Sequence, residues 1–240
     1  MTRKSPYYFT TSPLPCPYLP ARAERKTVTE ISSLKNAEKF YSDMAASNYR
    51  RSHNIIYTPT CTGCSECKSV RIVVDGFAPD RTMRKIIKTN TDLIVTRVKN
   101  VATKEQYGLF TRYQETRHTG GDMALMSFED YRSMVEISPI ETFLYEFRDA
   151  NGHLIGVTLI DRLNDGFSGN YQFFEPSMDK RSLGTFAILW VIEELKRQNL
   201  PYFYLGFWVK GAQTMKYKTR FKPLEVCGSN GWQPLENEGD

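Results

Sequence analysis

Three runs of apolar, β-branched and aromatic residues follow one another at Thr142–Arg148, Leu154–Asp161 and Ser168–Glu175. Asn151-Gly152 and Asp165-Gly166 separate them, and such dipeptides supply the positive φ angles of tight hairpin turns. The spacing predicts an antiparallel meander. A long helix is expected next, over Leu183–Arg197, capped by Ser182. Its positions Leu183, Phe186, Ala187, Trp190 and Val191 keep the i, i+3, i+4, i+7, i+8 spacing of one buried face. Asn199 and Pro201 stop it, and Tyr202–Val209 reads as a last dense strand. A strand, a helix and a strand in this order close as a right-handed crossover. The last strand should therefore lie parallel to the one before the helix.

The rest of the chain surrounds this block. Its 240 residues suffice for one large domain or two small ones, and 40% apolar against 25% charged residues reads as globular. The longest aliphatic stretch, Leu154–Ile160, is interrupted by Gly156 and Thr158, far from the roughly 20 residues of a membrane helix. The first 20 residues hold five prolines and no apolar core, so they read as an irregular arm and not a signal peptide. Five cysteines, three of them clustered, argue against a secreted disulfide framework and for a reducing cytoplasm. Asn36 is expected to cap a helix over 37–47. Strands are expected at 53–58, 70–77 and 92–99, with a basic helix from Pro79–Asp80 to Lys88. Thr103/Gln106 and Ser127/Asp130 have capping-box spacing, opening helices near 104–117 and 128–137.

The net charge of +5 is modest but uneven. From Lys68 to Lys99 eight Lys/Arg face three acids, and Lys210 to Lys222 carries five Lys/Arg and no acid. Aromatic residues lie among these segments, a pairing suited to phosphates and bases; a solvated basic face is the plain alternative. In the tail, Lys216, Lys218 and Arg220 alternate with Tyr217 and Phe221. If extended, this segment sets cations on one face and rings on the other. Arg181-x-x-Gly184-x-Phe186 opens the long helix, where free N–H groups and the helix dipole favour an anion, so Arg181 and Ser182 are candidate binders. Cys61-x2-Cys64-x2-Cys67 can turn three thiols on one zinc ion or iron–sulfur cluster, with Cys16 as a fourth ligand; reduced loop thiols are the alternative. The three histidines share no ligand spacing.

A meander, a crossover helix and a parallel last strand resemble the core of GNAT acyltransferases, in which the two parallel strands splay and admit the acyl donor. The expected class is thus α+β: a GNAT-like domain over 78–240 and a smaller cysteine-bearing domain over 1–77. The chain as a whole resembles the bacterial aspartate/glutamate leucyltransferases, relatives of the arginyl-tRNA–protein transferases. The resemblance rests on Cys16-Pro-Tyr-Leu-Pro20, Arg50-Arg-Ser with Tyr57 and the three cysteines, Arg81-Thr-Met-Arg-Lys85, Asp165-Gly-Phe-Ser168 with Tyr171, Arg181-Ser-Leu-Gly184, and Tyr204-Leu-Gly-Phe-Trp208 with Met215-Lys-Tyr-Lys218.

That resemblance implies transfer of leucine from leucyl-tRNA to proteins beginning with Asp or Glu, marking them for N-degron degradation. An aminoacyl ester is already activated, so no cofactor is needed for the chemistry. Asp161, Tyr171 and Glu175 are expected along the splayed strands, where a carboxylate or water takes the amine proton. Tyr204, Phe207 or Trp208 would stack the terminal adenosine, and Arg81, Arg84, Lys85, Lys216, Lys218 and Arg220 would meet phosphates. A buried Arg or Lys, which the sequence does not single out, should read the acceptor's carboxylate. A coenzyme A-dependent N-acyltransferase and a non-catalytic RNA-binding module remain as alternatives.

Overall fold

The computed structural model describes residues 6–235. The chain begins with β1 (Tyr8–Thr10), β2 (Leu14–Pro15), β3 (Ala23–Glu24), β4 (Lys26–Glu30), α1 (Ala37–Ala45), β5 (Arg50–Ser52), β6 (Ile55–Pro59) and β7 (Lys68–Val73). Next come α2 (Arg81–Thr89), β8 (Ile94–Lys99), α3 (Lys104–Arg117), α4 (Phe128–Glu136), β9 (Thr142–Arg148), β10 (Leu154–Leu163) and β11 (Gly166–Phe174). The chain then forms α5 (Leu183–Arg197), β12 (Tyr202–Trp208), β13 (Leu224–Gly228) and β14 (Gly231–Pro234).

An eight-stranded sheet in the order β14-β13-β7-β12-β11-β10-β9-β8 organises the molecule. Every neighbouring pair in it is antiparallel except β11 and β12, the pair that flanks α5. The meander, the helix and the parallel strand after it are therefore as expected, but β12 is not the last strand: β13 and β14 follow it in the same sheet. Helices cover both faces of the sheet, which is why its inner strands are almost wholly apolar. In β9 the two-residue period sends Phe143, Tyr145 and Phe147 into the core with α5, and Leu144 into the core with α3 and α4. Along α5, Leu183, Phe186, Ala187 and Val191 are buried, and Trp190 is partly so. Among the described residues no helix is long and apolar enough to cross a membrane.

A second sheet, β1-β4-β6-β5, carries the N-terminal residues with α1. The strand β7 pairs with β12 and β13, so the segment after the cysteine loop lies inside the large sheet. The strand expected at 53–58 is β6 and starts only at Ile55, because His53 takes a positive φ of 54° in a turn that joins it to an unexpected strand, β5.

Both capping boxes form, with Thr103 accepting from Gln106 N and Ser127 from Asp130 N. Asp80 likewise accepts from Met83 N and starts α2. Four local expectations fail in whole or in part. The N-terminal arm, where described, is irregular only in part: β1 pairs with β4, and β2 with β3, an edge position that tolerates Pro15. Asn36 and Ser182 precede their helices without a side-chain cap bond; Ser182 is left-handed (φ 51°) because it also ends a 3₁₀ segment, Pro176–Arg181. The basic tail is not extended. It forms a 3₁₀ segment, Gln213–Arg220, whose three-residue period buries Met215, Lys218 and Phe221 on one side.

Candidate active site

The two parallel strands stay together for only three residue pairs, Gly166–Tyr202, Phe167–Phe203 and Ser168–Tyr204. Gly166 permits this closeness, since a Cβ there would stand 1.9 Å from the Tyr202 carbonyl oxygen. Beyond Ser168 the strands part, and a bulge marks each at that point. Asn170 has no partner in β10, and Leu205 has none in β7. Gly206 follows at φ 83°. Arg50, at the start of β5, fills the apex of the resulting V. It donates to Ser168 Oγ at 3.0 Å and to the Gly169 carbonyl at 2.6 Å. Its Cζ lies 3.1 Å from where a Cβ on Gly206 would be.

The V opens into a cleft of about 660 Å³. One wall comes from β11, the other from β12 and the 3₁₀ segment after it, with the start of α5 and the end of α3 at the rim. Its ionisable walls are basic or phenolic: Arg50, Arg117, His118, Lys218 and several tyrosines, with no Asp or Glu. Lys218 is buried and donates to the Phe207 carbonyl. Burial, helped by the charge of Arg50, pushes its ammonium down to about 7. Tyr171 receives a hydrogen bond from Gln114 Nε2 at 2.6 Å, which leaves its own O–H free to donate. Burial pushes that phenol up to about 12, so it holds its proton at neutral pH. Two buried side-chain oxygens in the cleft, Thr158 Oγ1 and Asn170 Oδ1, have no hydrogen-bond partner.

Of the three expected catalytic residues, only Tyr171 lines the cleft. Asp161 lies on β10 out of solvent reach, held by Arg51 at 2.6 and 2.7 Å and by Thr142 Oγ1 at 2.6 Å. It is an internal counter-ion and has no free oxygen to offer an amine. Glu175 follows β11 outside the cleft lining. Burial opposes its charge, but hydrogen bonds from Ser177 and Arg112 outweigh this and keep the carboxyl below the ordinary range.

The expected binding residues also divide. Tyr217 and Lys218 line the cleft, and Phe207 supplies a ring. Tyr204 and Trp208 do not, because both faces of β12 are covered. Tyr204 donates to Asp165 at 2.9 Å inside the core, and Trp208 joins the α5 core. Arg81, Arg84, Lys85, Lys216 and Arg220 are exposed outside the cleft. Arg181 turns away from the α5 N-terminus and ties it to the end of α2, bonding Asn90 at 2.9 Å and Asp92. At that same helix start Gln172 Nε2 donates to the Gly184 carbonyl, and a Cβ on Gly184 would meet the Phe174 ring at 2.9 Å. The anion site expected at this helix start is therefore not open: its arginine and its glycine are engaged within the protein. Arg50, Thr158 and Asn170 were not expected. Arg50 stands in the Arg50-Arg-Ser segment, but nothing in its sequence neighbours distinguishes it from Arg51.

Cys16, Cys61, Cys64 and Cys67 line one small cleft of about 80 Å³, sharing Tyr18, Tyr57 and Phe207 with the larger one. Burial, then the other three thiols, raise the Cys67 thiol to about 11. Arg22 donates to Cys64 Sγ at 3.1 Å and Arg25 N to Cys61 Sγ at 3.4 Å. The donor set is of the right kind, yet among the described residues no three His, Cys, Asp or Glu are placed to hold a metal ion.

The model of the C-terminal part of arginine-tRNA-protein transferases matches residues 105–228, and that of the N-terminal part matches 14–85. The aspartate/glutamate leucyltransferase of Paramagnetospirillum magneticum is 54% identical over 227 residues, 95% of this chain and 93% of that protein. The one from Gluconacetobacter diazotrophicus is 45% identical, covering 98% of this chain and 90% of that protein. Among solved structures, L-PGS from Bacillus licheniformis aligns at a TM-score of 0.46 with 10% identity, over 62% of this chain and 49% of that one. A tandem GNAT protein from the clavulanic acid biosynthesis pathway aligns at 0.41 with 11% identity, over 65% and 49%. This chain is an aminoacyltransferase and belongs to the arginine-tRNA-protein transferase family, among the aspartate/glutamate leucyltransferases.

Proposed function

We propose that the cleft between the splayed strands moves leucine from leucyl-tRNA to the N-terminal amine of proteins beginning with Asp or Glu, marking them for the N-degron pathway. The observation that carries this reading is the cleft itself: room for an aminoacyl end, opened by two bulges, with cations and no carboxylate on its walls. Both substrates are anionic at the points where they must be held.

The acceptor's α-amine, with an ordinary pKa near 7.7–8.0, is partly neutral at cell pH. Its nitrogen attacks the leucyl ester carbon. A C–N bond forms, the C–O bond to the terminal ribose breaks, and a proton passes from the amine, directly or through water, to the departing ribose oxygen. The enzyme's share is alignment and hydrogen bonding to developing charge. The unpartnered Asn170 oxygen suits an N–H of the amine, and the Tyr171 hydroxyl can donate to the carbonyl oxygen as it gains charge. The rings of Tyr18, Tyr57 and Phe207 offer stacking for the terminal adenosine. Exposed cations such as Arg84, Lys85, Lys216 and Arg220 would meet the tRNA backbone, with Tyr217 at the cleft side of that path. The four-thiol cleft is proposed as a zinc or iron–sulfur site beside the reacting groups, in support of the gathered segments and not of the chemistry.

A coenzyme A-dependent reading is disfavoured by the engaged Arg181 and Gly184. The test is a panel of peptides differing only in their first residue, incubated with leucyl-tRNA. Leucine is expected on those starting with Asp and Glu; equal transfer to Lys- or Arg-starting peptides would overturn the reading.

A further inference from the structure

Four cations in the described structure are buried: Arg50, Arg51, Arg71 and Lys218. Two have carboxylates. Arg51 holds Asp161, and Arg71 holds Glu225 at 2.8 Å. Arg50 and Lys218 do not. Arg50 bonds a serine hydroxyl and a backbone carbonyl, and Lys218 a backbone carbonyl. Both face the cleft. Two neighbouring cations out of water, with neutral partners only, are unfavourable in the empty protein, and an arriving anion relieves both the desolvation and the mutual repulsion.

Two anions come to this cleft: the phosphates near the tRNA 3′ end and the side-chain carboxylate of the acceptor. Arg50 lies at the apex, against the last paired residue of β11. A phosphate diester is flanked by sugars on both sides and would have to carry chain into that apex. A carboxylate at the end of one or two methylenes reaches it alone. We propose that Lys218 and Arg50 form the subsite that takes the side-chain carboxylate of the acceptor's first residue. The proposal rests on the leucyl-transfer reading above. Arg50, fixed by Ser168 and Gly169, sets the position; Lys218, on a flexible stem with rotatable donors, follows a carboxylate that differs by one methylene between Asp and Glu. This accounts for one site serving both.

The test compares wild type, Lys218→Met and Lys218→Arg at saturating leucyl-tRNA, with Glu- and Gln-starting peptides of otherwise equal sequence. Wild type should favour Glu over Gln in kcat/KM by at least roughly 100-fold, about 2.7 kcal/mol. Lys218→Met should collapse that ratio to within about tenfold while leucyl-tRNA affinity stays, and Lys218→Arg should keep most of it. An unchanged ratio in Lys218→Met overturns the proposal. So does a loss of leucyl-tRNA affinity with the ratio intact, which would make this a phosphate site. Wild-type protein gives an answer that needs no variant: calorimetry in two buffers at about pH 8 should show more proton uptake for the Glu than for the Gln peptide, because the carboxylate recharges Lys218. Equal uptake counts against the subsite. Wild type that leucylates neither peptide would overturn the leucyl-transfer reading itself, and shows as such before any variant is compared.

Discussion

Asp161 Oδ1 stands 2.6 Å from Arg51 Nη2, and both side chains are sealed from solvent. Breaking one side of such a pair leaves a charge uncompensated, at about 3–5 kcal/mol. Asp161→Asn should lower the unfolding free energy by that order, read from the urea midpoint. The rate per folded molecule at low temperature should change little. A variant of wild-type stability that is inactive would return Asp161 to the reacting groups.

Gly206→Ala tests the V. The residue would sit at φ 83°, a region that costs an L residue roughly 1–2 kcal/mol, and its Cβ would press on the Arg50 guanidinium at 3.1 Å. Because Arg50 holds the apex, kcat/KM for Glu-starting peptides should fall at least about tenfold, beyond what the stability loss explains. Activity that simply tracks the folded fraction would show that Arg50 has room to move.

Lys218 gives a dependence on pH with a definite sign. Its ammonium titrates near 7 in the folded protein and at 10.5 ordinarily. Between these values the unfolded chain binds a proton that the native protein does not, so this group makes stability rise with pH across that window. Its cost is fully present below about 7. Arg50 is the one charged group that acts on it. Lys218→Met should therefore be more stable than wild type at about pH 6, by at least about 1 kcal/mol or roughly 2–4 °C in Tm. The gap should close towards pH 10; a gap that widens with pH contradicts the assignment. The same lysine should bring kcat/KM for Glu-starting peptides down above pH 7, and Lys218→Arg should remove that descent.

For the cysteines, metal analysis of anaerobically purified protein should find zinc or iron near one ion or cluster per chain, and Cys64→Ser should release it. Metal-free protein of full stability would leave the four thiols as reduced side chains.

The part of the large sheet from β9 to β12 was legible because its signals are local and repeated, whereas β13 and β14 were not expected. Hairpin dipeptides, a clean helical stripe on α5 and a dense final strand leave few topologies, and the parallel pairing of β11 with β12 followed from their order. The site was less legible, because burial there depends on partners far along the chain. Asp161 reads as a free carboxylate until Arg51, 110 residues away, is brought to it. Lys218 reads as one of a run of surface cations until the 3₁₀ period turns it inward beside Met215 and Phe221. Tyr204 and Trp208 look available for stacking until α1 and β6 pack over one of them and the α5 core takes in the other. Asn170 carries no sequence signal: a bulge places it in the cleft lining, and bulges are set by pairing.

The central claim is that this cleft takes its acyl group from an aminoacyl-tRNA. Mass spectrometry of one Glu-starting peptide, incubated with the protein and either leucyl-tRNA or acetyl-CoA, tests it most directly. The account predicts a gain of one leucyl residue at the N-terminus in the first tube and no change in the second. An acetylated peptide, or none altered by leucyl-tRNA, would contradict it.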